Sequence, residues 1–136
     1  MAPYHFSVTV HEEFESAVAR TKQALAANGF GIVSEIDLAA TLRERLGVEH
    51  DPYLILGACN PEFARIAIRH APAIGVLLPC NVVLRSSEGD GVVVDFMDPA
   101  ATLQLVNDPH VQEIAEDVRS RLEMTRDDLA TSRRVA

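Results

Sequence analysis

A chain of 136 residues, 48% hydrophobic and 24% charged, has the size and composition of one globular domain, which excludes collagen-like, coiled-coil and disordered chains. Twelve basic against 20 acidic residues give a net charge of -8, so no broad cationic surface exists to displace counterions from a nucleic-acid backbone, and no nucleic-acid partner is expected. The richest apolar stretch, Ala71 to Leu84, is broken by Pro72, Gly75 and Pro79 and falls short of the roughly 18 residues of a membrane helix, so no membrane partner is expected either.

The opening residues, Met1 to Phe6, carry no charged leader, apolar run or cleavage site, so the expected address is the cytoplasm, where Cys59 and Cys80 stay reduced. Tyr4, Phe6, Val8 and Val10 alternate with His5, Ser7, Thr9 and His11, which predicts a half-buried strand. From Glu12 the period lengthens: Phe14, Val18, Thr21 and Leu25 mark a helix that Asn28-Gly29 stops. Phe30 to Ile36 alternates again, with Phe30, Ile32 and Ile36 on one side and Val33, Glu35 and Asp37 on the other. Leu38, Leu42 and Leu46, closed by Gly47, predict a short second helix.

Tyr53 to Ala58 is continuously apolar, as in a strand with both faces covered. Asn60-Pro61 then has the chemistry of an N-cap followed by the first helical position, predicting a helix from Pro61 to about His70. Val76 to Leu84 and Val92 to Met97 flank the glycine-rich Ser87 to Gly91 and read as a hairpin; Pro79 has no amide for the ladder, so the strand bulges or starts afresh at Cys80. Asp98-Pro99 and Asp108-Pro109 open two last helices, the second amphipathic through Leu122. The order β-α-β-α-β-α-β-β-α-α gives an α+β two-layer sandwich over residues 1–124, with helices mainly on one face of a mixed sheet and a frayed tail at 125–136. The third, fourth and fifth strands are apolar on both faces while helices cover one, so a homodimer is expected to shield the other.

Ile55-Leu56-Gly57-Ala58-Cys59-Asn60-Pro61, followed by Pro72, Ile74-Gly75 and Leu77-Leu78-Pro79-Cys80-Asn81-Val82-Val83, resembles the bacterial and archaeal family of domain of unknown function 302. Gly29-Phe30-Gly31, Glu35-Ile36-Asp37 with Thr41-Leu42, Asp98-Pro99 and the last amphipathic helix extend the resemblance over nearly the whole domain. It implies a two-layer fold similar to the TATA-binding-protein topology and homodimers, and implies no established reaction.

The two Cys-Asn pairs are the candidate site. Cys59 precedes a helix N-cap, where the positive end of the dipole favours a thiolate, and Gly57 on the same strand face leaves room for another group. Gly57, Cys59, Asn60, Cys80 and Asn81 are therefore expected around one ligand pocket, with both cysteines close together. The plainer reading makes both cysteines small core residues. Glu35 and Asp37 share a strand side and could hold a cation, or simply face water. Cys59 and Cys80 with His50 or His70 match no zinc spacing, so neither a metal nor another cofactor is expected. No GxSxG, phosphate-binding glycine loop or HExxH is present. Three functions remain: a dimeric domain binding a small ligand or partner, a thiol-dependent redox or sulfur-handling enzyme using Cys59, and a structural module with inert cysteines.

Overall fold

In the computed structural model, which describes residues 3–89 and 91–131, five strands alternate with helices. They are β1 (His5–His11), α1 (Phe14–Ala27), β2 (Gly31–Asp37), α2 (Leu38–Leu46), β3 (Tyr53–Cys59), α3 (Pro61–His70), β4 (Cys80–Ser86), β5 (Gly91–Met97), α4 (Pro99–Thr102) and α5 (Pro109–Thr131). The α+β class and the element order follow the sequence expectation. Strand order is β1-β5-β4-β3-β2, and every neighbouring pair is antiparallel, which replaces the expected mixed sheet. α1 carries the chain from one edge strand to the other, so β1 and β2 never meet, and α2 and α3 each return the chain antiparallel to the strand before.

Because successive strand residues point to opposite faces, the register sorts every side chain. Leu54, Leu84, Val94 and Val8 form one cross-strand row; Leu56, Val82, Phe96 and Phe6 form the next. These rows merge with Ala17 and Leu25 of α1, Phe63 and Ala67 of α3, and Val111, Ala115, Val118 and Leu122 of α5 in one core. The helix layer is pinned at Asp98, whose Oδ1 accepts from the amides of Ala100 and Ala101 while Oδ2 accepts from Arg119 Nε at 3.1 Å. One carboxylate thus caps α4 and ties β5 to α5.

Three boundaries depart from expectation. The strand expected from Val76 begins at Cys80, after a 3-10 turn over Pro72–Leu77 and a cis Leu78–Pro79 bond; ladder pairing starts where amides become available. The helix expected from Asp98-Pro99 shrinks to α4 followed by a 3-10 turn, Leu103–Leu105. In β2 a register shift between Ile32 and Ser34 interrupts the strict alternation: Glu35 and Asp37 face the helices opposite Leu56 and Leu54, whereas Ile36 faces the other side opposite Ile55.

The expected frayed tail is also corrected over 125–131, where α5 continues with Thr125 and Leu129 buried. Leu122, Thr125 and Leu129 share one helical stripe, and Thr125 tolerates burial because its hydroxyl donates to Arg121 O at 2.9 Å. The rest of that tail, 132–136, and Asp90 of the hairpin connection lie outside the described residues. Leu129→Ala should cost about 2 kcal/mol, the low end for a buried leucine because the site is near a helix end. Urea unfolding checks this, and a loss under about 0.5 kcal/mol, the scatter of surface substitutions, would mean that the last two turns do not pack.

Candidate functional site

Cys80 pairs with Ala58 across β3 and β4, and Asn81 pairs with Gly57. Parity then separates the motif residues. Cys80 is in the core at 3% exposure, beside Ala58, whereas Asn81 is exposed on the helix-free face. Cys59 is half-buried and one position on from Ala58, so strand alternation turns it away from Cys80 although the two backbones are neighbours. Burial pushes the Cys80 thiol up to about 12, and the proximity of Cys59 adds to the rise. Cys80 is a core residue, and Cys59, on the other strand parity, is still near enough to act on its thiol.

Gly57 does leave room, but two parts of the chain fill it. A Cβ there would lie 2.8 Å from Pro79 Cγ and overlap the Ser34 hydroxyl. Asn60 is the N-cap of α3: its Oδ1 accepts from Phe63 N at 3.0 Å, and its Nδ2 donates to Gly29 O at 3.3 Å. Gly29 has φ +94°, a conformation that glycine adopts without strain, and a side chain there would also meet Arg121 Nη1 at 2.8 Å. Asn60 thus fastens the end of β3 to the α1–β2 turn, and it lines a cleft of about 420 Å³ with Arg121 and Asp117. Asn81 lines a different cleft.

That second cleft, about 560 Å³, lies on the helix-free face among His5, Tyr53, Asn81, Val83, Arg85 and Asp95. Two cross-strand rows of that face, Tyr53-Arg85-Val93-Thr9 and Ile36-Ile55-Val83-Asp95-Ser7, contribute Tyr53, Arg85, Val83 and Asp95 to it, while Asn81, His5 and Met97 come from positions beyond them. Arg85 Nε donates to Asp95 Oδ2 at 2.7 Å, and Ser7 Oγ donates to Asp95 Oδ1 at 2.5 Å. His5 Nε2 stands 4.0 Å from the same carboxylate. Burial alone would raise the Asp95 pKa, but the hydrogen bonds from Arg85 and Ser7, with the charges of Arg85 and His5, outweigh it and hold the carboxyl below its usual value. The bond to Asp95 raises Arg85 in turn. The charges of this face therefore arrive already paired.

Sequence reading missed Tyr53, Arg85 and Asp95 as site residues. The signal was present in Arg85 and Asp95, two charges in otherwise apolar strands, both on the outward parity. Glu35 and Asp37 do not form a cation site: Glu35 accepts from Lys22 at 2.6 Å, and Asp37 caps α2 through the amide of Ala40 at 2.9 Å. Those bonds also occupy two of the charged residues around a third cleft, about 550 Å³, between α1 and α2. His50 packs edge-on against Tyr53, and His70 stacks on His110; neither histidine joins the cysteines. Among the described residues, no helix is long and apolar enough to cross a membrane.

A family model described as "Domain of unknown function DUF302" matches residues 6–129. The chain is also similar to a solved crystal structure of an uncharacterized conserved DUF302 protein from Bacillus stearothermophilus, with 28% identity and a TM-score of 0.86, covering 94% of this chain and 99% of that one. No curated protein matches this chain.

In the native protein at pH 8, a thiol reagent should label Cys59 and leave Cys80 unmodified until unfolding, because Cys80 lacks both exposure and thiolate. Equal labelling of both would place Cys80 outside the core. The same proton binds the folded state more tightly than the unfolded one, so its stabilisation is whole below the usual thiol value near 9 and is lost as pH climbs towards about 12. Cys80→Ala should flatten that alkaline loss in denaturant midpoints measured against pH. Gly57→Ala should destabilise by roughly 1 to 3 kcal/mol through overpacking against Pro79; an unchanged melting temperature would show that the ring yields.

Proposed function

The chain belongs to the DUF302 family, and from that premise we propose that it is a dimeric binding domain whose ligand site is the cleft on the helix-free sheet face, enclosed when two copies pair across that face. The observation that carries this reading is the character of the face. Its strand residues include Ile36, Ile55, Val83, Val93 and Met97, and among its ionisable groups Arg85, Asp95 and His5 already neighbour one another. Covering it therefore buries Arg85, Asp95 and His5 as one paired cluster, which lowers the penalty for burying a charged surface.

The size also fits. Five strands of seven residues present a face of roughly 24 by 23 Å in projection, and a corrugated surface of that span approaches the roughly 800 Å² per partner of an ordinary stable interface. A second copy is the favoured cover because closed twofold pairs are the commonest assembly of soluble chains and a paired charge cluster does not repel its own copy. The cleft volume of about 560 Å³ suits a small molecule, with apolar walls and a few polar groups to orient it. Arg85 retains donors beyond those given to Asp95, and Asn81 offers a carboxamide, so the favoured ligand is compact, largely apolar and bears a carboxylate or carbonyl oxygen. Of the residues singled out by sequence, Asn81 stands in this cleft, while Gly57, Asn60 and Cys80 hold the surrounding structure in shape. The thiol-enzyme reading has less support, since Cys80 keeps its proton and Cys59 lines neither this cleft nor that of Asn60.

Light scattering at micromolar concentration should give twice the chain mass. Ile55→Lys, or the more exposed Ile36→Lys, should give monomers with unchanged far-ultraviolet circular dichroism. A native mass spectrum of freshly purified protein should carry a small-molecule increment that Arg85→Met removes. A monomeric native chain, or a dimer indifferent to both lysines, would sink the pairing; an increment that survives Arg85→Met would move the ligand elsewhere.

A further inference from the structure

The fold brings together three metal-binding side chains that lie apart in the sequence. His70 ends α3, Asp108 immediately precedes α5, and His110 is in its first turn. One ligand atom from each residue lies within 4.8 Å of the others. The two imidazoles stack with centroids 4.2 Å apart and planes 14° from parallel. His70 Nδ1 is 3.9 Å from Asp108 Oδ2, and His110 Nδ1 is 3.6 Å from Oδ1.

Asp108 divides its two oxygens. Oδ1 accepts from the amides of His110 at 2.8 Å and Val111 at 3.1 Å, which fixes the carboxylate as the cap of α5. Led by the Val111 amide, these bonds and the two neighbouring imidazoles hold the carboxyl below its usual value against the opposing effect of burial. Among the described residues Oδ2 accepts no hydrogen bond, and it faces His70. Neither imidazole has a hydrogen-bond partner among the described residues, so ring nitrogens of both are available as donors.

We propose that His70, Asp108 and His110 bind one divalent first-row transition ion, zinc foremost, through one ring nitrogen of each histidine and Asp108 Oδ2, with water completing the shell. Two imidazoles and a carboxylate form a borderline donor set that suits zinc, nickel or copper; calcium and magnesium prefer oxygen alone. Three protein ligands plus water is the count of an open zinc site. Metal bonds of about 2.0 to 2.2 Å require the donors to draw closer than they stand, and the His110 side chain, 66% exposed, is free to turn while the capped Asp108 stays fixed. The negative end of the α3 dipole and the Asp108 charge offset the positive start of α5, so the cation is not repelled. The ion would staple the end of α3 to the beginning of α5.

The full-length protein, stripped with a chelator, is titrated with cobalt(II) and then zinc. One equivalent should bind, with a ligand-field spectrum lacking a thiolate charge-transfer band, and zinc should raise the melting temperature. His70→Ala and His110→Ala should each weaken binding by at least the roughly tenfold that loss of even an outer-shell partner costs at such sites. Asp108→Asn keeps a capping oxygen and should weaken binding with little change in metal-free stability, which separates loss of a ligand from loss of the fold. A thiolate band, an affinity untouched by all three substitutions, or the absence of saturable binding overturns the proposal.

Discussion

Antiparallel strands covered by helices on one side only can send each side chain to just two places, and that constraint organises the molecule. It fixes Cys80 beneath the helices and Asn81 outside them, although the two are consecutive. It gathers Leu56, Val82 and Phe96 into the core and leaves Ile55, Val83 and Asp95 on the opposite surface. Core and candidate site are therefore two readings of one register, and a slip of a single residue would exchange them.

Short polar devices hold that register against the helices. Asn60 caps α3 while reaching Gly29, and Asp98 caps α4 while receiving Arg119. Each uses separate atoms of one short side chain for a local and a distant partner. Arg119 and Arg126 also lie over the Phe6 ring, at 5.9 and 5.2 Å from its centroid, so the charged side of α5 reaches the first strand through an aromatic face. The Asn-Pro and Asp-Pro pairs, which read locally as caps, are thus also the rivets between layers.

The sequence disclosed most elements because their punctuation is local. Gly47 after Leu46, and Asn60-Pro61 before Phe63, suffice to bound α2 and α3. Strand order was not legible, since periodicity along a strand says which face it hides and nothing about its neighbour. The β2 bulge was invisible for a related reason: Val33 breaks the ladder without breaking the apolar pattern. Thr125 misled in the other direction, a polar letter at a core position whose hydroxyl is satisfied one turn back. At the site, Cys-Asn twice over read as one chemical unit, but strand parity divides the second pair and helix capping claims the first asparagine. The His70–His110 stack could not be read at all, because only tertiary packing makes those two residues neighbours.

The irregularity in β2 also bears on how the molecule avoids unwanted company. β2 is an edge strand, with no strand on its outer side among the described residues and with Val33 and Ile36 exposed. A straight strand of that composition would be a template for adding further chains edge to edge, without limit. The shift between Ile32 and Ser34 breaks the spacing of the strand's backbone donors and acceptors, and Glu35 and Asp37 set two carboxylates along the same edge. Open-ended polymerisation is thereby disfavoured, and the flat of the sheet remains as the surface where association can close on itself.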